Sequence, residues 1–311
     1  MKKFYNKLQF LINNKFDYIL MKLISRLFII KKIFLFFNRI NLKKKNLKYE
    51  INEDEVILIS NNSSINQILN DLHEDGISKS LKINKNSLNK IKDYVDNNLC
   101  YAYGETQNGF YFNERKECEA KINREILLSK YFNFQKEEPF AAISNSSLLQ
   151  AIANNYLGKN ATNIATQLWW TFPANVDLQT RSEAAHNFHR DVDGWGFVKF
   201  FFYLSDVTEG GGPHVYVKKS HKPSFINQLF SEKLLIGRHS DGAIKNRFDT
   251  NAICEIYGTA GKGFAADTYG FHKGVSPIKN PRLVLCCVYA TKDYGVQEFT
   301  KKPELLSHFK N

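Results

Sequence analysis

The sequence predicts an α+β chain, with helices first and a β-sandwich or barrel after them. Three observations carry this expectation. Three amphipathic, capped helical patterns lie between residues 64 and 158. Beyond Gly158, short runs rich in aromatic and β-branched residues take over, separated by turn-formers. Hydrophobic residues make up 43% of the 311, enough for one large core or two modest ones.

Residues 1–50 stand apart by charge. They hold 13 Lys/Arg against two Asp/Glu, or +11 of the net +12. "FLINNKFDYILMKLISRLFIIKKIFLFFNRI" alternates apolar clusters with basic residues. Its longest apolar run, "IFLFF", falls far short of the roughly 18 residues that cross a bilayer. Lys15, Asp17, Lys22 and Arg26 interrupt any signal-peptide core, and no small-residue cleavage site follows. On a helix Lys15, Lys22 and Arg26 share one face, whereas Lys31 and Lys32 do not, so the register changes near residue 30. Two roles fit this segment. One is a basic amphipathic helix in peripheral contact with an anionic membrane surface. The other is a pair of helices docked on the body or a partner, with their lysines in water. "LKKKNLK" at 42–48 then links the segment to the body.

From residue 51 to 311 the chain reads as one domain. "SINQILNDLHEDG" and "NSLNKIKDYVDNNL" are amphipathic helices, and "SNSSLLQAIANNYLG" is a third, with a Ser/Asn start and a stop at Gly158. Residues 101–142 are expected to form short strands and loops. The strands that follow are "ATQLWWTFP", "FVKFFFYLSDV", "PHVYVKKS", "GFAADTYGFH" and "RLVLCCVYA". Trp169 and Trp170 face opposite sides of the first of these; one belongs to the core and the other is available to line a pocket.

Composition also excludes function classes. Residues 51–311 carry only about +1, so no basic surface for nucleic acid is expected. Five scattered cysteines without a CxxC pair fit a reducing, cytoplasmic compartment. Cys286 and Cys287 are neighbours on a strand and point to opposite faces, so they do not bridge. "TEGGGP" lacks the Lys-Ser/Thr and helix of a phosphate loop and is a tight turn. No Gly-x-Ser-x-Gly elbow is present, against a serine hydrolase of the α/β class.

The chemistry concentrates in "NFHRDVDG". On a strand His189 and Asp191 share one face and can hold adjacent positions on a metal ion, while Arg190 points away, into a surface ion pair. His272 in "DTYGFHKGVSP" is the candidate third ligand. Two histidines and one carboxylate leave three neighbouring positions open, which suits non-haem Fe(II). His186 has the wrong parity to join them; His214 and His221 sit in or beside the Gly-rich turn and are expected to be structural or at the surface. Asp193 has the right parity but precedes Gly194, where the strand turns, so solvent or a substrate hydroxyl is its expected partner. Ten residues after His272, a hairpin brings Arg282 back beside the metal, facing inward with Val284 and Cys286. Without an acidic neighbour in sequence, a buried guanidinium there calls for a carboxylate, which a dicarboxylate co-substrate supplies.

The order His189-x-Asp191, then "YLSDVTEGGGPHVYVKKSHK", then "DTYGFHKG", then Arg282 resembles the phytanoyl-CoA dioxygenase family of Fe(II)/2-oxoglutarate oxygenases, over about residues 145–292. The resemblance implies a double-stranded β-helix (jelly-roll, cupin-like) core at about 160–292 with flanking helices. It implies His189, Asp191 and His272 as iron ligands, Arg282 on the distal carboxylate of 2-oxoglutarate, and Gln167 and Tyr203 as further co-substrate contacts. It also implies dioxygen as oxidant, succinate and CO2 as products, and hydroxylation of a small molecule; a lipid or glycan precursor at a membrane would suit the basic N-terminal segment. Halogenases related to the family lack the carboxylate that Asp191 provides. One departure is Gly274, where many members have a serine; Ser276 is the nearest substitute. The competing class is a non-oxidative, cupin-like isomerase or binding protein on the same scaffold.

Overall fold

A computed structural model describes residues 16–25, 33, 55–60, 63–158, 160–222, 237–296 and 300–311. Helix α1 (Phe16–Ile24) is the described part of the N-terminal segment. It docks on the body, burying Met21 against Val192 and Tyr294, and Asp17 pairs with Lys292. The second expected helix and the 42–48 linker lie outside the described residues. Among the described residues, no helix is long and apolar enough to cross a membrane.

Strand β1 (Ile57–Ile59) leads into α2 (Ile65–Glu74), where the Ser64 hydroxyl accepts the Gln67 N–H and so satisfies one of the first-turn amides. Strand β2 (Ile77–Ile83) and α3 (Lys85–Asn97) follow, the latter capped by Asn84. Residues 101–142 hold β3 (Cys100–Ala102), β4 (Gly109–Phe110) and β5 (Leu128–Lys130). They also hold two helices that the sequence did not predict, α4 (Arg115–Ile122) and α5 (Phe140–Ser144). Helix α4 buries only Cys118 and Glu119, so it shows no apolar stripe; an Arg115–Glu119 pair one turn apart supports it instead. Helix α6 (Ser147–Leu157) starts on a Ser146 cap and stops at Gly158, whose φ of 63° is left-handed.

The remaining strands are β6 (Thr162–Thr171), β7 (Phe197–Tyr203), β8 (His214–Val217), β9 (Ile253–Ile256), β10 (Lys262–Ala266), β11 (His272–Gly274) and β12 (Arg282–Ala290). Two short helices, α7 (Leu178–Glu183) and α8 (Asp241–Lys245), lie between them. Nine strands form one sheet in the order β1-β2-β10-β7-β12-β6-β5-β3-β4, and three form a second, β11-β8-β9. All their pairings are antiparallel. The helices-then-strands expectation therefore needs correction: β1 and β2 lie among the helices yet join the large sheet through β10.

Alternation sorts the large sheet into two cores. Val198, Phe200 and Phe202 of β7, with Leu283, Leu285 and Cys287 of β12, pack under the helices. Phe201, Tyr203, Val284, Cys286 and Val288 pack on the other face with Tyr216 and Ile256 of the small sheet. All nine residues of β12 are buried, as in a strand covered on both sides. Cys286 and Cys287 accordingly belong to different cores and are both free thiols. Trp170 enters the helix-side core. The "TEGGGP" turn is packed tightly: a Cβ on Gly212, at φ 71°, would lie 2.5 Å from the Val275 carbonyl oxygen.

Candidate metal centre and co-substrate pocket

"FHRDV" does not form a full strand. It makes isolated bridges, and in one of them His189 and His272 exchange both backbone hydrogen bonds, at 3.0 and 3.1 Å. The Asp191 N–H donates to Thr268 O at 2.9 Å and extends the same pairing. The predicted alternation survives, so the three side chains converge. One ligand atom from each of His189, Asp191 and His272 lies within 4.8 Å of the others, the one such group among the described residues.

The donor chemistry fits a divalent metal. His189 Nδ1 lies 2.9 Å from Asn187 O, and His272 Nδ1 lies 3.0 Å from Gly270 O. A carbonyl accepts, so each Nδ1 carries the proton and each Nε2 presents its lone pair. His272 Nε2 stands 3.2 Å from Asp191 Oδ2, and His189 Nε2 stands 3.7 Å from Asp191 Oδ1. Burial, and then the His272 ring, lower the His189 pKa to about 4, which keeps the ring neutral and able to ligate. Burial pushes the Asp191 carboxyl up, but Lys199 and the two imidazoles outweigh it and hold the group well below the usual range.

Lys199 was not anticipated. Its Nζ sits 2.8 Å from Asp191 Oδ2 and 2.7 Å from Asp193 Oδ2. Burial opposes its charge, yet the two carboxylates prevail and raise its pKa. Asp193 is thus paired inside the protein and not held for solvent or a substrate hydroxyl. A signal was present: in "FVKFFFY", Lys199 shares parity with Phe201 and Tyr203, so a cation stands on the inner face of an apolar strand.

Arg282 is buried, 4% exposed, and paired across the sheet with Thr171. Its contacts are long and neutral: Thr171 Oγ1 at 3.4 Å and Val275 O at 3.3 Å, with Nε lacking a hydrogen-bond partner. Burial pulls its pKa down, and no carboxylate faces it among the described residues. A buried guanidinium so poorly satisfied is a site for an anion. A Cβ on Gly274 would lie 3.0 Å from Arg282 Nη2, so the arginine uses the space that a serine would take. The Ser276 Oγ lies 2.5 Å from His186 Nδ1.

The three ligands and Arg282 line one cavity of about 220 Å³, together with Gln167, Trp169 and Tyr203. The Tyr203 hydroxyl is already engaged, donating to Ile256 O at 2.8 Å and accepting the His214 N–H at 2.9 Å. It ties the two sheets together. His214, just after the Gly-rich turn at the start of β8, is buried and also lines the cavity, stacked 5.5 Å from the His272 ring. His221 is buried and structural, its Nε2 facing His73 O. Arg190 points away as expected but, among the described residues, makes no surface ion pair. Half-buried, it donates to Tyr269 O at 2.6 Å and stacks 4.0 Å from the Phe271 ring centroid.

No protein-family model matches the chain, and no curated protein matches it. Solved structures do resemble it. HygX from Streptomyces hygroscopicus, with nickel and 2-oxoglutarate bound, aligns over 79% of this chain and 96% of its own, at 13% identity and a TM-score of 0.49. EctD from S. alaskensis with bound Fe covers 84% and 86%, at 15% identity and a TM-score of 0.47. SnoN, a non-heme alpha ketoglutarate dependent epimerase from nogalamycin biosynthesis, covers 77% and 87%, at 12% identity and a TM-score of 0.48. With every one of these TM-scores below 0.5, the functional assignment rests on the chain's own residues.

Proposed function

We propose that the chain is an Fe(II)- and 2-oxoglutarate-dependent dioxygenase that hydroxylates a C–H bond of a small molecule and releases succinate and CO2. One observation carries this: a His189–Asp191–His272 donor set shares a small cavity with a buried arginine that faces no carboxylate among the described residues. His189 and His272 hold the metal through Nε2, with their Nδ1 protons anchored on backbone carbonyls. Asp191 supplies the anionic ligand and is oriented by Lys199. Arg282 binds the distal carboxylate of 2-oxoglutarate, and Gln167 lies within reach of the same co-substrate. Iron, when bound, supplies the dioxygen chemistry; the protein positions the reactants and limits side reactions. Residues 51–311 form the dioxygenase domain, and the two facing sheets support a double-stranded β-helix core at about 160–292.

The test is purified protein with Fe(II) and 2-oxoglutarate, read by metal binding and succinate release. His189→Ala and His272→Ala are expected to abolish both. Arg282→Ala is expected to weaken 2-oxoglutarate binding at least about tenfold, the loss of one charge-assisted contact. Unchanged succinate release in the two histidine variants would sink the assignment. A wild-type protein with no 2-oxoglutarate affinity would point to the non-oxidative, cupin-like class.

A further inference from the structure

The pairing of β8 with β11 sets His214 directly opposite Gly274. Directly opposed residues of an antiparallel pair project to the same face, and residues two apart on one strand share it. His214, Gly274 and His272 therefore stand on one face, the face that lines the co-substrate cavity. Gly274 has no side chain, and a Cβ built there would lie 3.0 Å from Arg282 Nη2. His214 is thus a neighbour to both ends of the cavity. Its ring stacks 5.5 Å from that of His272, and its strand partner abuts the guanidinium.

The ring is held in place but not satisfied. Phe201 and Phe264 flank it at centroid distances of 4.9 and 5.2 Å, and the Tyr203 hydroxyl anchors its backbone by accepting the His214 N–H. The residue is only 8% exposed, and its Nε2 is buried without a hydrogen-bond partner among the described residues. A buried polar atom left unpaired is costly and calls for a partner. Burial first, and then His272 and Arg282, push the His214 pKa well down, so the ring is neutral. A neutral imidazole carries one N–H. Beside a guanidinium, the partner that suits this donor is the anion that the guanidinium attracts.

We propose that His214 is the second donor to the distal carboxylate of 2-oxoglutarate, acting through Nε2–H beside Arg282, and that it helps select a dicarboxylate co-substrate. This role rests on the dioxygenase reading. A carboxylate accepts at both oxygens and can serve several donors at once. Arg282 reaches it from β12 and His214 from β8, so each of the two sheets contributes one donor. A 2-oxo acid without the distal carboxylate leaves both donors unpaired in a buried site, which discriminates far more strongly than a lost apolar contact. Three rings pack around His214, so its donor is oriented before the co-substrate arrives and little side-chain ordering is left to binding.

Anaerobic calorimetric titration of the full-length, Fe(II)-loaded protein tests this with two ligands. One is 2-oxoglutarate. The other is 2-oxopentanoate, which keeps the metal-chelating end and carries a methyl group in place of the distal carboxylate. His214→Leu removes the donor and keeps an apolar side chain of similar size between the phenylalanines. It is expected to weaken 2-oxoglutarate binding at least about tenfold, the loss of one hydrogen bond to a charged group. Its affinities for 2-oxopentanoate and for iron are expected to match the wild type, and the retained iron binding verifies that the variant folds. Equal 2-oxoglutarate affinity in wild type and His214→Leu would overturn the proposal. So would a parallel loss for both 2-oxo acids, or a loss of iron, since either would assign His214 to packing around the metal and not to the distal carboxylate. A wild-type protein that binds iron but no 2-oxoglutarate would refute the dioxygenase reading itself, and the role of His214 with it; the other outcomes refute the role of His214 alone.

Discussion

Lys199 is held between two carboxylates at 2.8 and 2.7 Å, and all three side chains are at most one-fifth exposed. The metal-free protein depends on that cation, because among the described residues no other Lys or Arg lies within ion-pair distance of Asp191 or Asp193, and only the His189 and His272 rings stand beside Asp191. Removing one partner of a mostly buried pair leaves an uncompensated charge and costs about 3–5 kcal/mol. Lys199→Met is therefore expected to lower the stability of the metal-free protein by about 3 kcal/mol. Urea denaturation measures it, and an unchanged midpoint would show the cluster to be solvated. Single-residue chemistry was legible only where alternation operates. His189 with Asp191, and Arg282 with Val284 and Cys286, were placed by parity alone. Arg190 was correctly aimed away, but its partners, Tyr269 and Phe271, come from the segment just before β11 and could not be read from its own neighbourhood.

At the scale of elements, the C-terminal segment shows how a short stretch is held. Phe309 N–H donates to Gly109 O at 2.7 Å and Gly109 N–H to Ser307 O at 3.1 Å, while the Phe309 ring is buried. Glu114, ending a 3-10 turn at Phe112–Glu114, meets His308 Nε2 at 2.6 Å and Lys310 Nζ at 2.8 Å. The His308 contact first, and then Lys310, lower its carboxyl to about 2. A folded pKa below the unfolded value of about 4.3 makes this stabilisation complete above that pH, and it is lost as pH falls toward 2. The protection factor of the Phe309 amide, its exchange rate relative to an unstructured amide at the same pH, is expected to fall as pH drops through that window, and Glu114→Gln to remove that change. A wild-type protection factor that stays flat across the window would refute the linkage. The capped helices α2, α3 and α6 were legible because Ser64, Asn84 and Ser146 act within their own first turns. Helix α4 was not, because an ion pair and not an apolar stripe supports it. Strands β1 and β2 were missed because three and seven residues between helices carry too little pattern.

For the whole molecule, the candidate site lies where two sheets meet, with ligands from the "FHRDV" bridge and β11 and the arginine from β12. Ligands that bind only the folded protein stabilise all of it, by about 2.7 kcal/mol at a hundredfold excess over Kd. Fe(II) with 2-oxoglutarate is thus expected to raise the thermal midpoint by several degrees, a chelator to reverse the shift, and His272→Ala to abolish it. A midpoint indifferent to metal would contradict the site. In the basic segment 1–50, α1 docks on the body through Met21, while Phe16, Leu20 and Leu23 remain exposed. By itself the sequence determined the helix caps, the strand alternation, the opposite faces of Cys286 and Cys287, and the four residues of the candidate centre. Each of these depends on periodicity or on chemistry that few residue types can perform. Only the tertiary structure decided that β2 joins β10, that Lys199 clasps both aspartates, and that His214 lines the cavity opposite Gly274. Those outcomes depend on pairings between segments far apart in the chain, where local spacing does not specify which partner is met.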